Sequence, residues 1–347
     1  MKLEKYNIKR TLIKGAPPSV YNLPSTRAAA LTSLSDNSII LVGGENGGTL
    51  YYWKKVECCL IRVGELIPQF ERLKEARYGV YDIKVLDETG RRVIFLYSYP
   101  RLNKDKTIQV IFKTIEFNKC CKKIKNITTW YESHPKIFTN VIHHGSGKIA
   151  VIDKDSAYIS IGDLGYNQIN NRELSGDLGC ILKITKDSSE KISQGHRNIQ
   201  GMTIVNGKLF ASEHGPNGGD EINLINKDND YGWPFVSYGF PYGVPGDPRD
   251  YVVIENPGSH EGYTKPLIEF TPSIAPTELI YFNNYFYMGT LIKKSLILLK
   301  LENNQIINTK TIFIGHRLRN LTLLSNNNLV ITTDDGLLLV INLSEFI

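Results

Sequence analysis

Along the chain one phrase of apolar and polar positions repeats: a polar turn, an alternating or wholly apolar strand, a gap, and a second strand. It occurs as SLSDNSIILVGG then GTLYYW (Ser33 to Trp53), and as VLDETGRRVIFLYSY (Val85 to Tyr99) then TIQVIFKTIEF. It returns as VIDKDSAYISIGD (Val151 to Asp163) then GCILKI, and as IVNGKLFASEHG (Ile204 to Gly215) then EINLI. The last two copies are YFNNYFYMGT (Tyr281 to Thr290) then SLILLKL, and LLSNNNLVITTDDG (Leu323 to Gly336) then LLLVI. No stretch sustains the 3.6-residue period of an amphipathic helix.

Six such hairpins predict an all-β fold, a six-bladed β-propeller forming a single domain over residues 1–347. The units average about 58 residues in the 347-residue chain, against roughly 40–50 for compact blades. The surplus lies between units, above all from Asp228 to Pro266, where Gly, Pro and Tyr crowd together. Insertions of that kind are expected as loops on one face, where such folds carry their sites. A β-sandwich would account for strands but not for six similar hairpins. Ring closure is expected where the final strands, Leu329 to Thr333 and Leu337 to Leu343, meet the N-terminal segment.

Composition changes this picture little. Hydrophobic residues make up 41% and charged residues 22%, ordinary values for a folded chain. No apolar run approaches the roughly 18 residues of a membrane span. The first twenty residues lack the apolar core of a secretory signal. The net charge of +6 has no long basic block behind it. Lys119 to Lys125 (KCCKKIK) is too short for a nucleic-acid binder, and a small anionic ligand suits the charge as well. Five cysteines make no disulfide framework and no zinc motif. The adjacent pairs Cys58-Cys59 and Cys120-Cys121 would point to opposite faces if they lay on strands.

Four places carry candidate chemistry. In GHRNIQGM, Arg197 and Asn198 precede a strand and either brace a turn or present a guanidinium and an amide to a polar ligand. In SEHGPNGGDEINLI, a strand runs into a glycine-rich loop whose carbonyls cannot all be paired internally. That loop is either a wide turn capped by Asp220 or a set of oxygens suited to a hard cation such as calcium. His144, before a Gly-Ser-Gly turn, and Asp163 stand at the start and end of one hairpin and could face one pocket. A neutral histidine is the usual general base toward a hydroxyl, although a loop histidine, like its neighbour His143, is more often simply exposed. Arg317 and Arg319 alternate on a strand and share a face, with no acid beside them in sequence; solvent or a polycarboxylate is their expected partner.

The order of these motifs resembles the soluble PQQ-dependent glucose and aldose dehydrogenases (the glucose/sorbosone dehydrogenases). It reads HGSGK at His144, IGD ending at Asp163, GHRNIQG at Gly195 and EHGPN at Glu213. It continues with DEINL at Asp220, YGWP at Tyr231, PSIAP at Pro272 and RLR at Arg317. The likeness runs from about residue 140 onward and is densest between Gly195 and Pro234. It implies a PQQ- and Ca2+-dependent oxidoreductase that oxidises an aldose at C1 to the lactone. His144 would be the base, Asp163 its support and Arg197 the third catalytic group. Arg197, Asn198, Arg317, Arg319 and Lys293 would contact PQQ. Carbonyls of Gly215 and Pro216 would bind one calcium, and those of Glu221 and Tyr231 a second. Gln168 and Arg77 would meet the sugar.

The resemblance also implies an external electron acceptor, a monomer or homodimer, and a periplasmic or secreted location. Three positions differ from the family pattern. Arg77-Tyr78 stands at the sugar-binding wall, His143 replaces an acid, and GTLIKK puts Ile292 where a cation is usual, so Lys293 would reach the site only through a local shift. A non-catalytic propeller binding a sugar or protein, and a calcium-dependent lactonase, are the alternatives.

Overall fold

The computed structural model describes residues 9–12, 27–44, 46–54, 60–75, 77–247 and 249–345. The Cys58-Cys59 pair lies outside them. The described chain is a six-bladed β-propeller, and each predicted hairpin falls within one blade. Blade 1 comprises Ala30–Ser33, Ile39–Gly43, Thr49–Trp53 and Leu60–Glu65; blade 2 comprises Asp82–Thr89, Arg92–Leu102, Ile108–Asn118 and Lys123–Glu132. Blade 3 contains Ser146–Asp153, Ser156–Ile161, Cys180–Thr185 and Ser189–Gln194; blade 4 contains Ile199–Val205, Lys208–Glu213, Asp220–Ile225 and Ile268–Phe270. Blade 5 runs through Pro276–Phe282, Tyr285–Thr290, Ser295–Glu302 and Gln305–Phe313. Blade 6 is built from Leu318–Leu323, Asn328–Thr333 and Leu337–Asn342, and its outer strand is the N-terminal segment Lys9–Leu12. That last pairing, Lys9 opposite Val340 to Leu12 opposite Leu337, is the expected closure. The first strands of successive blades touch in an unbroken ring, blade 6 returning to blade 1.

The wholly apolar strands follow from burial on both sheet faces. In blade 1, Ile39 and Leu41 pack toward blade 6, whereas Ile40 and Val42 pack toward blade 2. In blade 2, Leu96 joins the cluster shared with blade 3, and Phe95 and Tyr97 join the one shared with blade 1. Among the described residues a separate apolar cluster fills each of the six blade junctions. The outer strands are less buried and carry little pattern, as in KIKNITTWYE of blade 2. Cys120-Cys121 is not on a strand: it occupies the exposed turn before that strand, its amides bound to the Asn118 side chain at 2.9 and 3.1 Å.

Near the axis the first strands are tied by charge as well as by packing. Lys148 of blade 3, 1% exposed, lies 2.7 Å from Glu278 of blade 5 and 3.8 Å from Asp82 of blade 2. Lys84 closes the group onto the same two acids at 3.5 and 3.4 Å. No helix among the described residues is long and apolar enough to cross a membrane.

Candidate active site

An antiparallel hairpin brings the start of its first strand beside the end of its second. Blades 3 to 6 keep this register: Ser146 is opposite Ile161, Ile199 opposite Glu213, Pro276 opposite Thr290, and Leu318 opposite Thr333. Residues just before strand one and just after strand two therefore collect on one rim, around the axis. A cavity of about 540 Å³ opens there. Its wall includes Arg77, His144, Arg197, Asn198, Gly215, Pro216, Arg317 and Arg319 of the residues singled out in the sequence.

His144 ends a short turn before the first strand of blade 3, and Asp163 follows the second strand. The His144 Nδ1 lies 3.1 Å from Asp163 Oδ1. Asp163 is fully buried and also accepts from the Gly165 amide at 3.0 Å and from Trp233 Nε1 at 2.8 Å. The Tyr251 hydroxyl donates to Asp163 Oδ2 and stands 3.3 Å from His144 Nδ1. The carboxylate fixes the His144 proton on Nδ1, so Nε2 keeps its lone pair. Burial, then the Arg197 charge, lowers the His144 pKa against the opposing pull of Asp163. The hydrogen bonds and nearby positive charges keep Asp163 ionised in spite of burial. Together they form a neutral base on a fixed carboxylate.

Arg197 and Asn198 are set by Glu213. One oxygen of Glu213 accepts from the Arg197 and Asn198 amides, and the other meets His196 Nδ1 at 3.0 Å. This explains why GHRN and EHGPN work as a pair: the strand register makes Glu213 the clamp of the first loop. The Arg197 guanidinium is 3% exposed, lies over the Trp233 ring at 5.2 Å, and donates to the Gly215 carbonyl at 2.7 Å. The Pro216 carbonyl accepts from the Tyr242 hydroxyl at 3.1 Å. Asp220 anchors this loop by accepting from the amides of Gly215, Ile274 and Ala275, and burial raises its pKa to about 6.

Arg317 and Arg319 face the cavity together, as the alternation requires. The expected partners are solvent or a polycarboxylate, and the structure adds an acid of the chain itself, Asp334, which follows the second strand of blade 6. It accepts from Arg317 Nε at 3.0 Å and from Arg319 Nε and Nη2 at 2.9 and 2.7 Å. The hairpin register could have found it, because Asp334 stands to Arg317 as Asp163 stands to His144. Arg27, before the first strand of blade 1, also lines the cavity; burial brings its pKa down to about 10. Its segment has no pattern that marks it. Trp233, Tyr242 and Tyr251 come from the Asp228 to Pro266 insertion, placed as expected on the site face.

Four other residues lie outside the cavity wall. Gln168 is exposed and bonded to the Tyr166 hydroxyl at 2.9 Å. Lys293 is exposed, and Ile292 lines the cavity in its stead. Glu221 and Tyr231 line an adjoining small cavity of about 20 Å³ that shares Arg197 and Gly215 with the larger one. There Glu221 is paired with His260 Nε2 at 2.7 Å.

The rim of this propeller thus joins a carboxylate-held histidine to a wall of guanidiniums. A family model described as Glucose / Sorbosone dehydrogenase matches residues 26–340, and the chain belongs to that family. It is 33% identical over 234 residues to an uncharacterized protein of Synechocystis, a match covering 56% of this chain and 54% of that protein. The chain thus spans about half the length of that relative. It is 23% identical over 344 residues to the aldose sugar dehydrogenase YliI of Escherichia coli, covering 88% of this chain and 87% of the relative. Among solved structures, the apo form of the E. coli soluble aldose sugar dehydrogenase superposes with a TM-score of 0.77 at 20% identity, over 96% of this chain and 98% of the other. The PQQ-bound aldose sugar dehydrogenase of Streptomyces coelicolor gives 0.70 at 20% identity, over 97% and 98%.

Proposed function

We propose that this chain is a PQQ-dependent dehydrogenase that oxidises an aldose at C1 to its lactone. The observation that carries the reading is the joining, in one cavity, of the braced His144–Asp163 pair with the guanidiniums of Arg197, Arg317 and Arg319. The donor set suits a polycarboxylate. The Nε atoms of Arg197 and Arg27 are buried without a hydrogen-bond partner, and a buried donor left unmet is costly unless a ligand meets it.

Arg317 and Arg319 would hold carboxylates of PQQ, each guanidinium keeping N–H groups beyond those used on Asp334. Arg197 and Asn198 would flank its reactive end. The Gly215 and Pro216 carbonyls are the oxygens a calcium ion would take beside it, in exchange for their present donors Arg197 and Tyr242. When bound, the cofactor supplies a two-electron acceptor for hydride leaving C1, which an external acceptor must later discharge.

The chain's own work is on the proton. His144 Nε2 takes it from the anomeric hydroxyl, and Asp163 stabilises the imidazolium that forms. Trp233 and Tyr251 hold Asp163 in place, and the Arg197 charge favours oxyanion character nearby. The test is a PQQ titration with and without calcium, repeated on Arg317→Ala, followed by dye reduction with a panel of aldoses. Saturable binding weakened by the substitution, with turnover of at least one aldose, supports the reading. Failure to bind PQQ would instead favour a non-catalytic propeller.

A further inference from the structure

We infer that the preferred substrate carries an anionic group, a carboxylate or a phosphate, received by Arg77 beside the His143–His144 turn. The inference rests on the aldose dehydrogenase reading and names its substrate class.

Arg77 lies in the segment that crosses from blade 1 to blade 2, and the chain around it is held. Its amide donates to the Glu75 carboxylate at 3.0 Å, the buried Tyr78 donates through its hydroxyl to the Glu71 carbonyl at 3.3 Å, and the Val80 amide binds the Gly47 carbonyl at 2.9 Å. The side chain is half-buried and lines the cavity. Among the described residues its guanidinium has no hydrogen-bond or ion-pair partner. Other arginines of the wall contrast with it: Arg317 and Arg319 share Asp334, and Arg249 is bound to Asp247.

The acid in the cavity wall, Asp220, spends its oxygens on three backbone amides of another loop. The group beside Arg77 is His143, whose ring meets His144 edge-on at 4.6 Å. Burial and its cationic surroundings keep His143 neutral. This corner of the cavity therefore presents a guanidinium close to the proposed base with no acid bonded to it, the neighbouring Glu75 carboxylate being bound to the Arg77 amide instead. A neutral sugar would offer hydroxyls only, and a carboxylate or phosphate would form the stronger bidentate, charge-assisted pair. Arg77 is set apart from Arg317 and Arg319 by its lack of an acid, so its demand for an anion is not met by the groups that serve them.

Glucose, glucuronate and glucose 6-phosphate are titrated into the cofactor-free protein by calorimetry, using the parent chain, Arg77→Gln and Arg77→Lys. The same sugars are then assayed for kcat/KM after loading with PQQ and calcium. We expect at least one anionic sugar to bind tenfold or more tightly than glucose. Arg77→Gln should abolish that preference, Arg77→Lys should keep part of it, and kcat/KM should follow the same ranking. Preference for glucuronate alone identifies a carboxylate, and preference for the phosphate alone a phosphate. Equal binding of all three sugars overturns the inference, as does a preference that survives Arg77→Gln, which would belong to other arginines. Oxidation of glucose without any anion preference overturns the inference and leaves the dehydrogenase reading standing. An Arg77-dependent preference with no oxidation supports the anion contact and overturns the dehydrogenase reading.

Discussion

The two sides of the cavity are built to different standards. On the blade 3 side, His144 is 6% exposed and its Asp163 receives donors from the backbone, from Trp233 and from Tyr251. On the blade 5 side, Ile292 is 58% exposed, and on the rim Arg249 is an exposed residue bound to its near neighbour Asp247. A proton-transfer group must be held within a few tenths of an ångström and in one tautomer, so it is fixed from several elements. Groups that select or grip a ligand can be held more loosely, because the ligand itself completes their hydrogen bonding.

The largest effect expected from this contrast follows His144→Gln. Removing the base should lower kcat by about 10²–10⁴-fold, while PQQ affinity by titration changes only a few-fold; a parallel loss of both would erase the contrast. Arg317→Ala on the gripping side should do the reverse. Loss of hydrogen bonds to a charged ligand group costs about 1.5–3 kcal/mol, or about ten- to one-hundred-fold in PQQ dissociation constant. The fall in kcat at saturating cofactor should be much smaller.

Tyr251→Phe probes the bracing itself and should act more mildly, by about tenfold in kcat/KM, in line with one hydrogen bond to a charged acceptor. Its direction on the pH profile is specific. His144 works as a neutral base, so activity falls as pH drops through its pKa, which burial has lowered. Without the Tyr251 hydroxyl, Asp163 holds the imidazolium proton more strongly, and the acid limb of kcat/KM should move to higher pH. An unmoved limb would mean that Tyr251 is only filling space.

Much of this was legible in the sequence, for a physical reason. Blades are made of local hairpins, and strands buried on both faces leave wholly apolar runs, so six units could be read directly. His144 with Asp163 was legible because the two bracket one hairpin. Arg317 with Asp334 obeys the same geometry over a similar separation, but Asp334 stands beside Asp335 in a polar turn, and no pattern marks which acid turns toward the arginines. Arg27 and Tyr251 lie in an unpatterned segment and in a Gly- and Pro-rich insertion, where periodicity carries no information. Motif order brought Gln168 and Lys293 forward, but order along the chain does not fix side-chain direction. In the structure one is bonded to Tyr166 and the other is exposed beside Ile292.

The smallest expected effect tests whether the looser side can be improved. Ile292 puts an exposed apolar side chain on the cavity wall, at the end of the second strand of blade 5. Ile292→Lys would place a cation there at an exposed position. An exposed charge pair contributes only about 0.2–1 kcal/mol, so PQQ should bind about one and a half to five times more tightly, and the gain should shrink with added salt. No comparable gain is available on the blade 3 side, where Asp163 already accepts from the Gly165 amide, Trp233 and Tyr251. A large, salt-independent gain from Ile292→Lys would show that this wall, too, is a fixed part of the site, and the contrast between the two sides would fail.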